Sequence, residues 1–176
     1  MIILEEEPYE ILDARPQKRA QRETIIQSKV KNLLSGRVLE RNFHQGDTFE
    51  EAELTKLKVK FLYGQKDRYF FCQEINPSQR FALNEEQIGP EAKFLKANQP
   101  VEGVVFNEKV VNILLPIKIQ LKVTEAPPGV KGERAQAGTK QAILETGATI
   151  NVPLFVETGD IIEINTETEE YVRRVE

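Results

Sequence analysis

The sequence predicts an all-β protein made of more than one small domain. Two observations lead there. Short runs rich in Val, Ile, Phe, Tyr and Thr recur at strand spacing, bounded by Gly, Pro, Asn and Asp. Only one segment reads as a helix, and many short strands with few helices pack as sandwiches or small barrels. At 176 residues, 40% of them hydrophobic, the chain carries enough apolar material for such cores.

The strand candidates in order are Tyr9–Ala14, Thr24–Leu33, Gly36–Phe43, Leu57–Tyr63, Arg68–Gln73 and Val101–Phe106. Then follow Lys109–Leu115, Ile117–Val123, Gln141–Leu144, Thr149–Phe155, Ile161–Asn165 and Glu170–Val175. Thr24–Leu33 shows the alternation of a half-buried strand: Ile26, Ser28 and Val30 fall on one face, Gln27, Lys29 and Lys31 on the other. Val101–Leu115 reads as a hairpin turning at Asn107-Glu108. Pro90–Ala97 predicts the single short helix, with Pro at its first position, Phe94 and Leu95 on one side and Lys93 and Lys96 on the other. A charge shift at Glu50–Glu53 and the exit from the hairpin at Pro116 mark two boundaries, dividing the chain into 1–53, 54–116 and 117–176. The middle and last thirds are candidates for one barrel type with diverged sequences.

Composition excludes several functions. The single Cys72 rules out an intrachain disulfide framework, and with the single His44 it leaves no His-Cys zinc cage. The apolar runs are far shorter than a membrane span, and Met1–Leu4 is followed by three glutamates rather than a signal-peptide pattern. A soluble, cytoplasmic, reduced protein is expected. No Walker loop, Rossmann fingerprint or nucleophile elbow is present. His44 has no Ser, Cys or second His as a catalytic companion and reads as a turn residue. Cys72 reads as a small core residue. No active site, metal site or cofactor is expected.

The charge is unevenly placed. The net charge is −4, yet Arg15 to Arg41 holds eight cations against Glu23 and Glu40, an excess of +6. Its densest part, Arg15 to Arg22, lies between two strand candidates and is expected to project as a basic loop. Such a loop attracts phosphate backbone, each neutralised phosphate releasing counterions. Charge alone leaves a solvated hairpin tip equally open.

The last third is more specific. Lys140-Gln-Ala142-Ile-Leu-Glu-Thr-Gly147-Ala-Thr-Ile150-Asn-Val152-Pro153-Leu-Phe-Val156-Glu-Thr-Gly159 resembles the signature segment of the bacterial elongation factor P family, position for position. Pro128-Gly129-Val130-Lys131-Gly132 and Glu170-Tyr171-Val172-Arg173-Arg174-Val175 match it too. Phe61-Leu62-Tyr63, Ile88-Gly89 and Ala92-Lys93-Phe94-Leu95 resemble its middle part. Glu7-Pro8-Tyr9-Glu10-Ile11-Leu12, Lys29-Val30-Lys31-Asn32-Leu33, Gly36 and Phe43 resemble its N-terminal domain. The resemblance implies an SH3-like barrel at 1–53 carrying a basic loop at 15–23, then OB-fold barrels at 54–116 and 117–176, in an elongated, L-shaped monomer. It further implies a non-enzymatic translation factor that binds the ribosome between the peptidyl and exit tRNA sites. There it would contact peptidyl-tRNA and rRNA, with no DNA or membrane partner and no cofactor, and relieve stalling at consecutive prolines.

The sequence departs from that family in three places. The family's activating loop usually reads Pro-Gly-Lys-Gly, with a modified Lys. A gap-free count back from Lys31-Asn32-Leu33 puts that quartet on Arg19-Ala20-Gln21-Arg22. Gln21 has no amine to modify, so the loop is expected to work unmodified, Gln21 by amide hydrogen bonds and Lys18, Arg19 and Arg22 by charge. Arg15, Lys29 and Lys31 are its expected supporting basic face. A register slide that makes Lys18 or Arg19 the modified tip is the other reading. Secondly, the chain starts at Met1-Ile2-Ile3-Leu4, so a short first strand is expected to be missing and the first barrel to have a bare edge. Thirdly, Glu169 stands where the family has Gly; a positive φ there would cost roughly 1 kcal/mol relative to Gly. Two other functions are weighed: a paralogue that binds ribosome or tRNA without rescuing proline stalls, and a general RNA-binding OB protein. The latter needs a stacking face, for which Phe61, Tyr63, Tyr69, Phe70 and Phe71 are the candidates.

Overall fold

The computed structural model describes residues 1–18, 24–44, 46–128 and 138–175. Strands dominate, as expected: β1 Ile2–Leu4, β2 Glu7–Lys18, β3 Thr24–Asn32, β4 Val38–His44, β5 Thr55–Gln65, β6 Arg68–Gln73 and β7 Arg80–Asn84. The helix α1, Glu85–Ile88, and a 3-10 turn at Pro90–Phe94 follow. The remainder are β8 Pro100–Phe106, β9 Lys109–Leu114, β10 Lys118–Glu125, β11 Thr139–Leu144, β12 Thr149–Pro153, β13 Ile161–Asn165 and β14 Glu170–Arg174. They form two compact units, 1–89 with 100–114, and 90–99 with 115–176.

The first unit holds two antiparallel sheets. One runs β1-β2-β3-β4. The edge expected to be bare is covered: Ile2–Leu4 pairs with Glu7–Tyr9, and on its other side the Ile3 N–H donates to the Glu50 carbonyl at 2.8 Å. The turn that folds β1 back places Glu5 and Glu6 both at positive φ, as a two-residue hairpin of this hand requires. Val30 and Leu33 are fully buried beneath this sheet, with Tyr9 nearly so.

The second sheet runs β7-β6-β5-β8-β9. Counted from its own first strand the order is 3-2-1-4-5, and β7 returns beside β9 to close a barrel. Val59, Phe71, Leu83, Ile88 and Ile113 fill it. The Asn107-Glu108 turn is present, both residues at positive φ.

The two sheets of this unit meet at a turn and a helix. The buried Asn32 accepts from the N–H groups of Leu34 and Ser35, both at 2.9 Å, and shapes a turn ending at Gly36. Gly36 has φ +79, and a Cβ there would lie 2.2 Å from the Glu86 carbonyl carbon. Only glycine allows this approach. Gln87 then donates from Nε2 to the Leu34 carbonyl at 2.8 Å while its Oε1 accepts from the Asn84 N–H, closing the capping box that starts α1.

The second unit runs β12-β11-β10-β13-β14, again 3-2-1-4-5, with β12 beside β14. Two barrels thus share one strand order, as OB-type folds do. Its core joins Leu121, Val123, Ala142, Leu144, Val152, Ile162 and Ile164 to Phe94 from the 3-10 turn. The single helix expected over Pro90–Ala97 is a 3-10 turn, Pro90–Phe94, and the helix α1 before it was not expected. Gly89, at φ 104, ends α1, and Pro90, with no N–H to offer, opens a separate turn that carries Phe94 into this core.

Candidate nucleic-acid interface

The β2–β3 hairpin carries the basic segment found in the sequence. β2 continues through Arg15, Pro16, Gln17 and Lys18, paired with Gln27, Ile26, Ile25 and Thr24. The stretch expected as loop from Arg15 is thus strand up to Lys18. Past Glu10, β2 lies beyond the reach of β1, so Pro16 sits on an unpaired edge where its missing N–H costs no ladder bond. Arg19, Ala20, Gln21 and Arg22 lie outside the described residues, as does the side chain of Lys18.

The supporting residues come together on one face, and the structure adds what composition hid. A bulge at Leu12 sets Asp13 opposite Lys29, and Lys29 is opposite Glu40 on the other side. Glu10 lies opposite Lys31. Arg15 Nε pairs with the Asp13 carboxylate at 2.8 Å. Arg15, Lys29 and Lys31 therefore share their face with three carboxylates, and opposite charges in register largely cancel at a distance. In sequence, the end of β2 and the segment that joins it to β3 add Lys18, Arg19 and Arg22 against Glu23.

The signature segment does other work. Ala142 is the cross-strand partner of Ile150, and Lys140 of Val152. Ala142, Ile150, Val152 and Val156 are buried in the C-terminal core. Gly147, at φ 85, turns β11 into β12, and Gly159, at φ 101, donates to the Val123 carbonyl at 2.9 Å. Pro153 ends β12, and its carbonyl accepts from the Val156 N–H at 3.1 Å. Lys140 donates from Nζ to the Pro127 carbonyl at 2.8 Å. These residues form a hairpin and its core.

Among the described residues, neither His44 nor Cys72 has a catalytic companion. His44 is exposed, with Nδ1 3.8 Å from the Asp47 carboxylate, and Cys72 is buried as a free thiol. Among the described residues no group of His, Cys, Asp and Glu has the arrangement of a metal site, and no helix is long and apolar enough to cross a membrane.

Comparison with known proteins agrees with this architecture at both ends. Residues 1–49 match the family described as "Elongation factor P (EF-P) KOW-like domain", and residues 119–174 match "Elongation factor P, C-terminal". Over 174 residues the chain is 36% identical to the elongation factor P of Carboxydothermus hydrogenoformans, covering 99% of this chain and 94% of that one. It is 38% identical to that of Thermodesulfovibrio yellowstonii, over 96% of this chain and 90% of the other. To that of Helicobacter pylori it is 36% identical, covering 96% and 89%.

Proposed function

The chain belongs to the elongation factor P family of translation elongation factors, and on that premise we propose that it binds the ribosome beside the peptidyl-tRNA and stimulates peptide-bond formation at consecutive prolines. Likeness over 99% of the chain carries the reading. Proline is a poor donor and acceptor because its ring fixes φ and its nitrogen is secondary. A factor between the peptidyl and exit sites that steadies the tRNA end lowers the barrier by orientation, leaving bond making to the ribosome. The proposed domains are 1–53, 54–116 and 117–176, the first holding the tip against RNA.

In this reading Gln21 acts through its amide, which both donates and accepts, while Lys18, Arg19 and Arg22 neutralise phosphates. Alanine at Gln21 and, separately, at Arg19 with Arg22 tests it in a proline-tripeptide synthesis assay on purified ribosomes. Loss of acceleration in both variants is expected. Unchanged synthesis in both removes the role of the tip.

One observation favours a second reading. Gln21 stands where a modified lysine is usual in the family, so a paralogue that engages ribosomes without relieving proline stalls is the alternative. Ribosome profiling after deletion separates the two: stalls at proline runs support the first, stalls elsewhere the second.

A further inference from the structure

The outer surface of the central barrel carries an arrangement that neither its core nor the hairpin uses. Phe61 faces inward, where it packs against Phe71 with ring centroids 5.4 Å apart. In an unbroken strand the residue two further on points the same way. Here the ladder shifts register between Phe61 and Tyr63, with Leu62 as the extra residue, and Tyr63 is delivered to the opposite face. There it lies against its cross-strand neighbour Phe70, the rings 4.8 Å apart and within 22° of parallel. Tyr63 is 51% exposed. The interior has its own aromatic stack, Phe71 on Phe81 at 5.5 Å and 13°, so the outer pair is not needed to fill the barrel.

Cations surround this pair. Lys58 and Lys60 lie on the same face of β5, Arg68 on that of β6, and Arg80 on that of β7, opposite Cys72. Two carboxylates share the surface: Glu74, 3.6 Å from Lys60, and Glu102, which pairs with Lys56 at 2.7 Å. Glu102 is also the cross-strand partner of Lys58, and among the described ion pairs none engages Arg68 or Arg80. Asp67 and Glu85 lie close to Tyr69, whose phenol is held above its ordinary value by burial and then by these two charges. Lys58, Lys60, Arg68 and Arg80 outnumber Glu74 and Glu102 on this face, in a chain of net charge −4.

An exposed Tyr63 stacked on a half-buried Phe70, with Arg68 and Arg80 on the same face, fits the faces of nucleobases and the phosphates that link them. Its site spans the first and second strands of a 3-2-1-4-5 barrel beside the β5–β6 turn, and adjoins the second- and third-strand face on which OB-type barrels hold oligonucleotides. We propose that the outer face of β5, β6 and β7 binds single-stranded RNA, with Tyr63 and Phe70 as the base platform and Arg68 and Arg80 on the backbone. This contact is separate from the β2–β3 hairpin and holds RNA without a ribosome.

The test is titration of the full chain into a fluorescein-labelled oligouridylate of about eight nucleotides, a length within the range one such barrel covers. Tyr63→Ala is expected to weaken binding by about tenfold or more, and Tyr63→Phe, which keeps the ring, to stay within about twofold. Arg68→Ala and Arg80→Ala should each lower the slope of log affinity against log salt by about 0.7. Tyr63 is half exposed, and an unchanged melting temperature in the alanine variant separates loss of contact from loss of fold. The proposal is overturned by absence of saturable binding. It is equally overturned if binding is indifferent to Tyr63, Arg68 and Arg80 and is removed instead by alanine at Arg15, Lys29 and Lys31. The titration contains no ribosome, so its outcome is independent of the role proposed in peptide-bond formation.

Discussion

The carboxylate of Glu169, held at φ +60 in the turn between β13 and β14, is ion-paired with Nζ of Lys93 in the 3-10 turn. A side chain in left-handed backbone is disfavoured by roughly 1 kcal/mol relative to glycine. The pair is more than one-third exposed on both sides, and such pairs contribute about 0–1 kcal/mol. Strain and pairing therefore nearly offset. Glu169→Gly removes both and is expected to change stability little, whereas Glu169→Ala keeps the strain and loses the pair. In urea unfolding the glycine variant should be the more stable of the two by about 1 kcal/mol. Equal stabilities would mean that the turn carries no strain.

Gly36 and Gln87 join the sheets of the first unit. Gly36→Ala places a methyl group against the Glu86 backbone, which has no side chain to yield, and is expected to destabilise by about 2–4 kcal/mol. Gln87→Glu keeps the acceptor for the Asn84 N–H but loses the donor to the Leu34 carbonyl. Thermal melting should place it between wild type and Gln87→Ala, at about 1 kcal/mol of loss. If Gln87→Glu matches wild type, the bond to Leu34 contributes nothing.

Glu145 couples stability to pH. Burial alone would raise its carboxyl, but the Lys122 N–H, the Lys96 ammonium and the charges of both lysines outweigh that and hold it below its ordinary value. A carboxyl depressed by folding contributes stability that is present above its unfolded value of about 4.3 and is lost as pH falls through the folded one. Glu145→Gln should therefore melt lower than wild type at neutral pH, and the two curves should converge below about pH 4. A constant gap across that range would contradict the coupling.

Asp13 and Glu40 oppose Lys29 across the hairpin. Replacing both by their amides leaves Arg15 and Lys29 without a facing carboxylate, while Lys31 keeps Glu10. Affinity for ribosomes is expected to rise a few-fold at low salt and to return to wild type as salt screens the added charge. An unchanged low-salt affinity would exclude this face from the contact.

Much of this was legible because it is local. Ile26, Ser28 and Val30 alternate with Gln27, Lys29 and Lys31, and β3 follows that pattern. The turn at Asn107-Glu108 and the segments around Ala142 and Val152 likewise announce themselves. Long-range register does not. The placing of Asp13 opposite Lys29 depends on one extra residue at Leu12, and the outward turn of Tyr63 on another at Leu62. Phe94 sits in a helix-like stretch, but its partners are distant in sequence. The strands Ile2–Leu4 and Arg80–Asn84 are too short for alternation to register, and the capping box of Asn84 and Gln87 marks a helix of only four residues.

The most direct measurement is synthesis through consecutive prolines on purified ribosomes, with recombinant protein whose mass matches the unmodified chain. A large acceleration is expected, because a Gln21 tip flanked by Lys18, Arg19 and Arg22 would orient the tRNA end without any added group. No acceleration while ribosome binding is intact would contradict that claim.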